Sequence, residues 1–394
     1  MFSIPAPVFL ITIAQAIGML TAPLVIFIGG FIGLSIAPSV SMSTLPITAL
    51  IVGVALAGMP AALIMQKLGR RKGFVYATLV GLLGSALTVY SIIHQLFWFL
   101  CFSILLLGVH LAFIYQFRFA ALEWVKPEKA AQTTSFMMLG GLLAAWLGPE
   151  LAMAGVELLD VKYAGAFVLL AIAHSLLLIM LMFIDFVEIK PQESQSHGRS
   201  LSQLLKSPGI AAAITCTAVA YGVMSLIMTA TPISMTEVQG FSLIEAKVVI
   251  QSHIMAMFAP SILSPLILRY INTGQMLLVG LVTMTLAITM ALLNQSYWGY
   301  WLALVAIGIS WNFCFVAGTS LLAQSYQQEE SYRAQAINEL AVFGTQASMS
   351  LLAGFILFYY GWIALNLLAI PLIILALLML GRWYLLAPEE KSKQ

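Results

Sequence analysis

The stretch "EIKPQESQSHGRSLSQLLKSP", residues 188–208, decides how this sequence is read. It is the one clearly polar segment in a chain of 394 residues that is 61% hydrophobic and only 8% charged. A soluble domain carries about 25% charged residues. A chain this poor in charge cannot cover itself with a polar surface, so it must dissolve in a bilayer. A hydrocarbon core of about 30 Å takes roughly 20 apolar residues per helix, and lipid admits only helices or closed barrels. The apolar runs here are continuous rather than alternating, which selects helices. The polar stretch is too short for a domain, and it separates two apolar blocks of similar length.

Outward from that stretch, helices are expected near 8–36, 42–67, 73–94, 96–123, 133–156 and 163–187 on its N-terminal side. On its C-terminal side they are expected near 209–234, 243–271, 274–293, 297–325, 333–359 and 361–386. The fold class is therefore an all-α membrane protein with 12 transmembrane helices: a bundle over 1–187, a linker over 188–208, and a second bundle with a short tail over 209–394. The first segment is longer than a signal-peptide core and lacks a basic lead, so it is expected to be a retained span. With the N-terminus inside, fifteen of the seventeen Lys and Arg fall on the cytoplasmic side, and only Lys162 and Lys247 fall outside. That asymmetry predicts that both termini and the linker are cytoplasmic.

Several function classes drop out. The net charge of +2 has no basic tract behind it, so nucleic acid is not an expected partner. No phosphate-cradling G-x-x-x-x-G-K-[ST] occurs, and no nucleophile–base set suggests an enzyme. Cys101, Cys216 and Cys314 lie in three separate apolar segments and define no disulfide framework.

The segment "ALIMQKLGRRKG" (62–73) resembles the loop between helices two and three of the major facilitator superfamily through Gly69, Arg70 and Arg71. Gln66 stands where that family usually has Asp, and Ala62 where its first Gly usually is. "GGLLAAWLGPELA" loosely resembles the superfamily's Gly-Pro motif through Gly140, Gly148 and Pro149. The resemblance implies two six-helix halves and a secondary transporter that works by alternating access around a midplane site, usually as a monomer.

Two spacings raise the question of the cargo. Met224 and Met228 are four apart, and so are His253 and Met257 on the next helix. Residues four apart share a helix face. Thioether sulfur is soft and selects Cu(I), and imidazole also suits copper. Methionine is also an ordinary gap-filler. With 20 Met in 394 residues, about one Met-x-x-x-Met arises by chance. Spacing alone therefore leaves core packing and metal binding both open, although a titratable ring inside a membrane helix is costly and usually functional.

This motif pair resembles that of the CcoA-type copper importers, which carry both motifs in helices seven and eight and supply copper for cytochrome oxidase assembly. Similarity extends to "GISWNFCFVAGTSLL" (308–322), "RAQAINELAVF" (333–343) and 45–74. The resemblance implies copper as transported substrate, held by Met224, Met228, His253 and Met257. It also implies no prosthetic group, a possible copper chaperone as partner, and a multi-pass place in the bacterial inner membrane. Near relatives without the metal motifs are thought to move riboflavin, so a small organic solute such as riboflavin or a hydrophobic drug is the alternative.

Other intramembrane polar residues complete the candidates. Met235 follows Met228 by seven and would stay near the same α-helical face as an accessory ligand, or serve as a plain core residue. Arg118 and Glu123, at the end of helix four, are candidates for a gate contact with another helix. Glu150 and Glu339 are candidates for carrying a coupling proton. His174 reads as structural, and Asn312 as a packing residue.

Overall fold

The computed structural model describes residues 5–126, 129–186, 199–267, 270–327 and 330–386, and no strand occurs among them. The helices are α1 (Ala6–Ile36), α2 (Leu45–Leu68), α3 (Arg70–Ile93), α4 (Phe97–Ile114), α5 (Ala130–Gly155) and α6 (Ala164–Phe183). Then follow α7 (Pro208–Ile233), α8 (Leu243–Ile267), α9 (Thr273–Leu293), α10 (Tyr297–Ser325), α11 (Ser331–Leu367) and α12 (Ala369–Leu386).

The final helical stretch, Arg333–Leu386, runs for 54 residues. At 1.5 Å per residue it would measure about 81 Å, far more than one bilayer. Gly361 breaks it, with φ 80 and ψ 178, a conformation that only glycine takes readily. Eleven apolar stretches among the described residues thus make twelve passages. Interior prolines mark other departures from unbroken helix. Pro23 has no N–H to give the carbonyl of residue 19, and α1 is interrupted at Leu20 between Ala6–Met19 and Thr21–Ile36. The helix expected over 163–187 stops at Phe183, because Ile184 is already extended at ψ 120.

The chain divides into two compact units, Met1–Pro191 and Gln192–Gln394. In the first, α4 packs on α2 and α3, α6 packs on α3, and α1 packs on α5 and α6. In the second, α7 is the hub, packed on α10, α11 and α12, while α8 and α9 pack on α10. Outer faces are apolar. On α6 the stripe Ile172, Leu176 and Ile179 is 52–53% exposed, where a soluble helix would carry charges. Lipid is the solvent such a stripe requires.

Ion pairs tie down the helix ends. Gly69 (φ 84) makes the turn between α2 and α3. Arg70 then reaches Glu123 at 2.7 Å, and Arg71 donates to the Met182 carbonyl of α6. Of the polar linker, 188–198 lies outside the described residues, as do Lys190, Arg269, Lys391 and Lys393. The remainder forms a short helix, Leu201–Lys206, started by a Ser200–Gln203 capping box. Arg199 just before it grips Glu330 through Nε, Nη2 and its backbone N–H, at 2.7–2.8 Å. Glu330 is 1% exposed, precedes α11 and also accepts from the Gln327 N–H.

The Arg199 hydrogen bonds hold the Glu330 carboxyl down at about 2, from an ordinary 4.5. A carboxyl depressed on folding stabilises the fold above its unfolded pKa, and that contribution fades as pH falls toward the folded value. Glu330→Gln is therefore expected to lower the melting temperature of the purified protein by roughly 2–4 °C at pH 7. The gap between variant and wild type should narrow below pH 5 and close as pH falls through about 2. Equal melting temperatures at pH 7, or a gap that widens in acid, would remove this pair from the stabilising interactions.

Candidate functional site

The second unit has a polar seam between α8 and α10. Gly308 permits it: a Cβ there would lie 2.6 Å from the His253 carbonyl oxygen and 3.2 Å from the Met257 nitrogen. With nothing but hydrogen at Gly308, the helices close enough for His253 Nδ1 to reach the Leu304 carbonyl at 2.6 Å. A carbonyl only accepts, so Nδ1 carries the proton in the neutral ring and Nε2 is left bare. His253 is fully buried, and its Nε2 has no partner. One turn on, Asn312 donates through Nδ2 to the Met257 carbonyl at 2.7 Å and also to Ser261. Asn312 therefore clamps α10 to α8.

Met224 and Met228 lie on α7, each 2% exposed, and Met257 is 9% exposed. The two pairs thus sit on separate helices. Those helices share little direct packing, while α10 packs extensively on both. Among the described residues, no three of His, Cys, Asp and Glu gather as a metal cluster. Met235 is buried, but it lies in a π-helical turn, Ser234–Val238, just past Pro232. The unbroken α-helical phase that would align it with Met228 does not hold there, because each π turn takes an extra residue.

A feature absent from the motif reading lies alongside. Tyr221 of α7, Phe258 of α8, Trp311 and Phe315 of α10, and Phe343 of α11 form one aromatic cluster. Trp311 and Phe315 stack at 5.1 Å and 6°. Tyr221 meets Trp311 at 5.0 Å and Phe343 at 6.1 Å, and Phe258 meets Trp311 at 6.5 Å. Trp311 is 6% exposed, and its indole Nε1 is buried without a partner. Ser225 Oγ of α7, His253 Nε2 of α8 and Asn312 Oδ1 of α10 are also buried without partners. Such groups are scarce in folded proteins. Met224, Met228, His253 and Met257 each lie within two helical turns of a member of the cluster, so the aromatic and polar groups occupy one stretch of the unit. In sequence, the only sign is Trp311 and Phe315 at helical spacing, a pattern most core helices share.

The remaining candidates are dispersed. Glu150 is half-buried in α5, and Glu339 is exposed on α11 about two turns past that helix's start. The Arg118 guanidinium sits 4.6 Å from the centre of the Phe119 ring. Glu123 binds Arg70, so Gly69, Arg70 and Arg71 act together as a turn and two anchors. The three cysteines are buried and free.

Comparison with known proteins agrees with this architecture. The Major Facilitator Superfamily model matches residues 2–331 and 216–394. The chain is 31% identical to the riboflavin transporter RfnT of Brucella anthropi over 376 residues, 95% of this chain and 94% of that one. It is 26% identical to the MFS-type transporter YddS of Bacillus subtilis, covering 93% and 88%. The structure of the POT family transporter PepTSo matches with a TM-score of 0.76 at 10% identity, covering 98% and 99% of the two chains. A bacterial homologue of the lysosomal transporter Spinster matches with a TM-score of 0.69 at 13% identity, covering 96% and 95%. With its apolar helical passages, this family match and transporters among its relatives, the chain is a multi-pass transporter of the bacterial inner membrane that belongs to the major facilitator superfamily.

Proposed function

We propose that this chain is a secondary transporter for a small planar organic solute, with riboflavin the first to test. The observation that carries the reading is the aromatic cluster around Trp311, which offers a stacked indole–phenyl face and a buried N–H with no partner. A flat heteroaromatic ring bearing carbonyl oxygens matches both: its face stacks, and its oxygen accepts from the indole. Aromatic stacking contributes about 0.5–1.5 kcal/mol per pair beyond burial, and the hydrogen bond relieves a buried donor. The relation to RfnT over nearly the whole chain supports the same solute.

A second reading, copper import, is favoured by one specific observation. The Leu304 carbonyl fixes the proton on His253 Nδ1 and leaves Nε2 bare and buried. That is how a metal-ligating histidine is commonly oriented. Met224, Met228 and Met257 would add soft thioethers for Cu(I). A copper chaperone would then be the natural recipient inside the cell.

Two uptake assays separate these readings, with membrane expression checked for each variant. In a riboflavin-auxotrophic strain, the wild type is expected to raise tritiated riboflavin uptake at limiting concentration. Trp311→Ala should lower it at least tenfold, about 1.4 kcal/mol, whereas Met224→Ala/Met228→Ala should leave more than half. Uptake at background, or uptake indifferent to Trp311, would reject the organic-solute reading.

In a strain lacking its own copper importer, radioactive copper tests the second reading. Copper import requires that Met224→Ala/Met228→Ala and His253→Ala each abolish accumulation seen with the wild type. Accumulation that survives both variants returns these four side chains to core packing.

A further inference from the structure

The first unit holds a second buried polar cluster, which neither reading uses. His174 of α6 and His110 of α4 lie with ring centres 4.5 Å apart, and both are 0% exposed. His174 is held from both sides. Its Nε2 lies 3.1 Å from Thr21 Oγ1 of α1, and its Nδ1 lies 3.1 Å from Ser85 Oγ of α3.

Each of those hydroxyls has one proton and also lies within hydrogen-bond reach of a backbone carbonyl. Thr21 donates to Gly18 at 3.2 Å, and Ser85 donates to Gly81 at 2.9 Å. An oxygen that has given its only proton can only accept. While both hydroxyls bond their carbonyls, His174 faces an acceptor at each nitrogen, and only the imidazolium has an N–H for each. A neutral His174 needs one hydroxyl to turn from its carbonyl to the bare nitrogen. His110 completes the pair: its Nδ1 donates to the Ala77 carbonyl at 2.9 Å, and its Nε2 is buried with no partner.

We propose that His110 and His174 bind one proton between them and form the site that couples transport to a proton gradient. Two imidazoles this close do not both ionise, because like charges disfavour each other. The pair therefore binds at most one proton. Binding or loss is a simple transfer: a proton arriving from water joins a ring nitrogen lone pair, and on release the same N–H bond breaks. The site has little electrostatic competition. Among the helices packed around it, α1 carries no ionisable side chain, and α6 carries none besides His174. Between Tyr76 and Tyr90, α3 has none. Between Cys101 and Tyr115, α4 has His110 alone. On α2 the first is Lys67 at its end, and α5 contributes the half-buried Glu150.

The site is placed to move helices. Thr21 is the first residue of the second part of α1, directly after the interruption at Leu20. When the proton leaves, either Thr21 or Ser85 must re-aim its hydroxyl, which changes a bond at the break in α1 or in the middle of α3. This inference concerns the driving ion. It rests on the chain being a transporter and holds for either solute.

The decisive measurement is a titration of the wild-type protein, labelled with ¹⁵N-histidine and held in lipid nanodiscs, from pH 5 to pH 8. The expected result is one imidazolium that disappears in His174→Gln. Ser85→Ala, which removes an acceptor but not the ring, should cut the imidazolium signal at pH 6 at least threefold. If both rings stay neutral across the whole range, the proposal is overturned.

Flux in proteoliposomes gives the second readout, with tritiated riboflavin as probe. The ratio of gradient-driven uptake to exchange at equal concentrations should fall at least tenfold in His174→Gln. An unchanged ratio overturns the coupling role even if the proton is bound. If the wild type carries no riboflavin, the solute reading fails alone, and the titration decides the proton site.

Discussion

The bilayer core supplies no hydrogen-bond partners, and everything in this structure depends on that constraint. Helices satisfy their backbones internally, which is why no strand occurs among the described residues. Many side-chain hydroxyls do the same locally. Thr12, Thr78, Thr88, Thr217 and Thr231 each donate to a carbonyl three or four residues back. Against that background, a buried nitrogen or oxygen with no partner carries information. His110 Nε2, His253 Nε2 and Trp311 Nε1 have that character, and they mark the two polar clusters argued above.

The two units solve the same mechanical problem with different side chains. In the first, Arg70 from the α2–α3 turn binds Glu123 beyond the end of α4. In the second, Arg199 before the short linker helix binds Glu330 at the start of α11. Both pairs lie at helix ends, outside the longest apolar runs, where a charge can be hydrated until it is paired. The family loop usually places an Asp where this chain has Gln66, so the α2–α3 turn is anchored through Arg70 and Arg71 instead.

The cargo question turns on two chemistries that share one stretch of the second unit. Soft sulfur and a bare imidazole nitrogen suit a copper ion. A stacked indole and phenyl with a bare N–H suit a flat organic ring. They have different helical partners. The aromatic cluster draws on α7, α8, α10 and α11 at once. The methionine pair of α7 and the His–Met pair of α8 meet mainly through α10. In both cases α10 is the helix between α7 and α8: Tyr221 and Phe258 each touch Trp311.

The sequence by itself determined the solvent, the helical class and the number of passages. Each of these follows from composition and from the length of apolar runs, which are local properties. The resemblance to the family loop also pointed to Gly69, Arg70 and Arg71, and the structure makes that glycine a positive-φ turn. Only the tertiary structure decided the rest. Whether Met235 keeps phase with Met228 depended on a π turn after Pro232. Glu123 found Arg70, 53 residues away. His174, which reads as structural in the sequence, proved to face two hydroxyls from two other helices. A side chain's neighbours across helices are set by how the bundle packs, and no spacing along one helix encodes them.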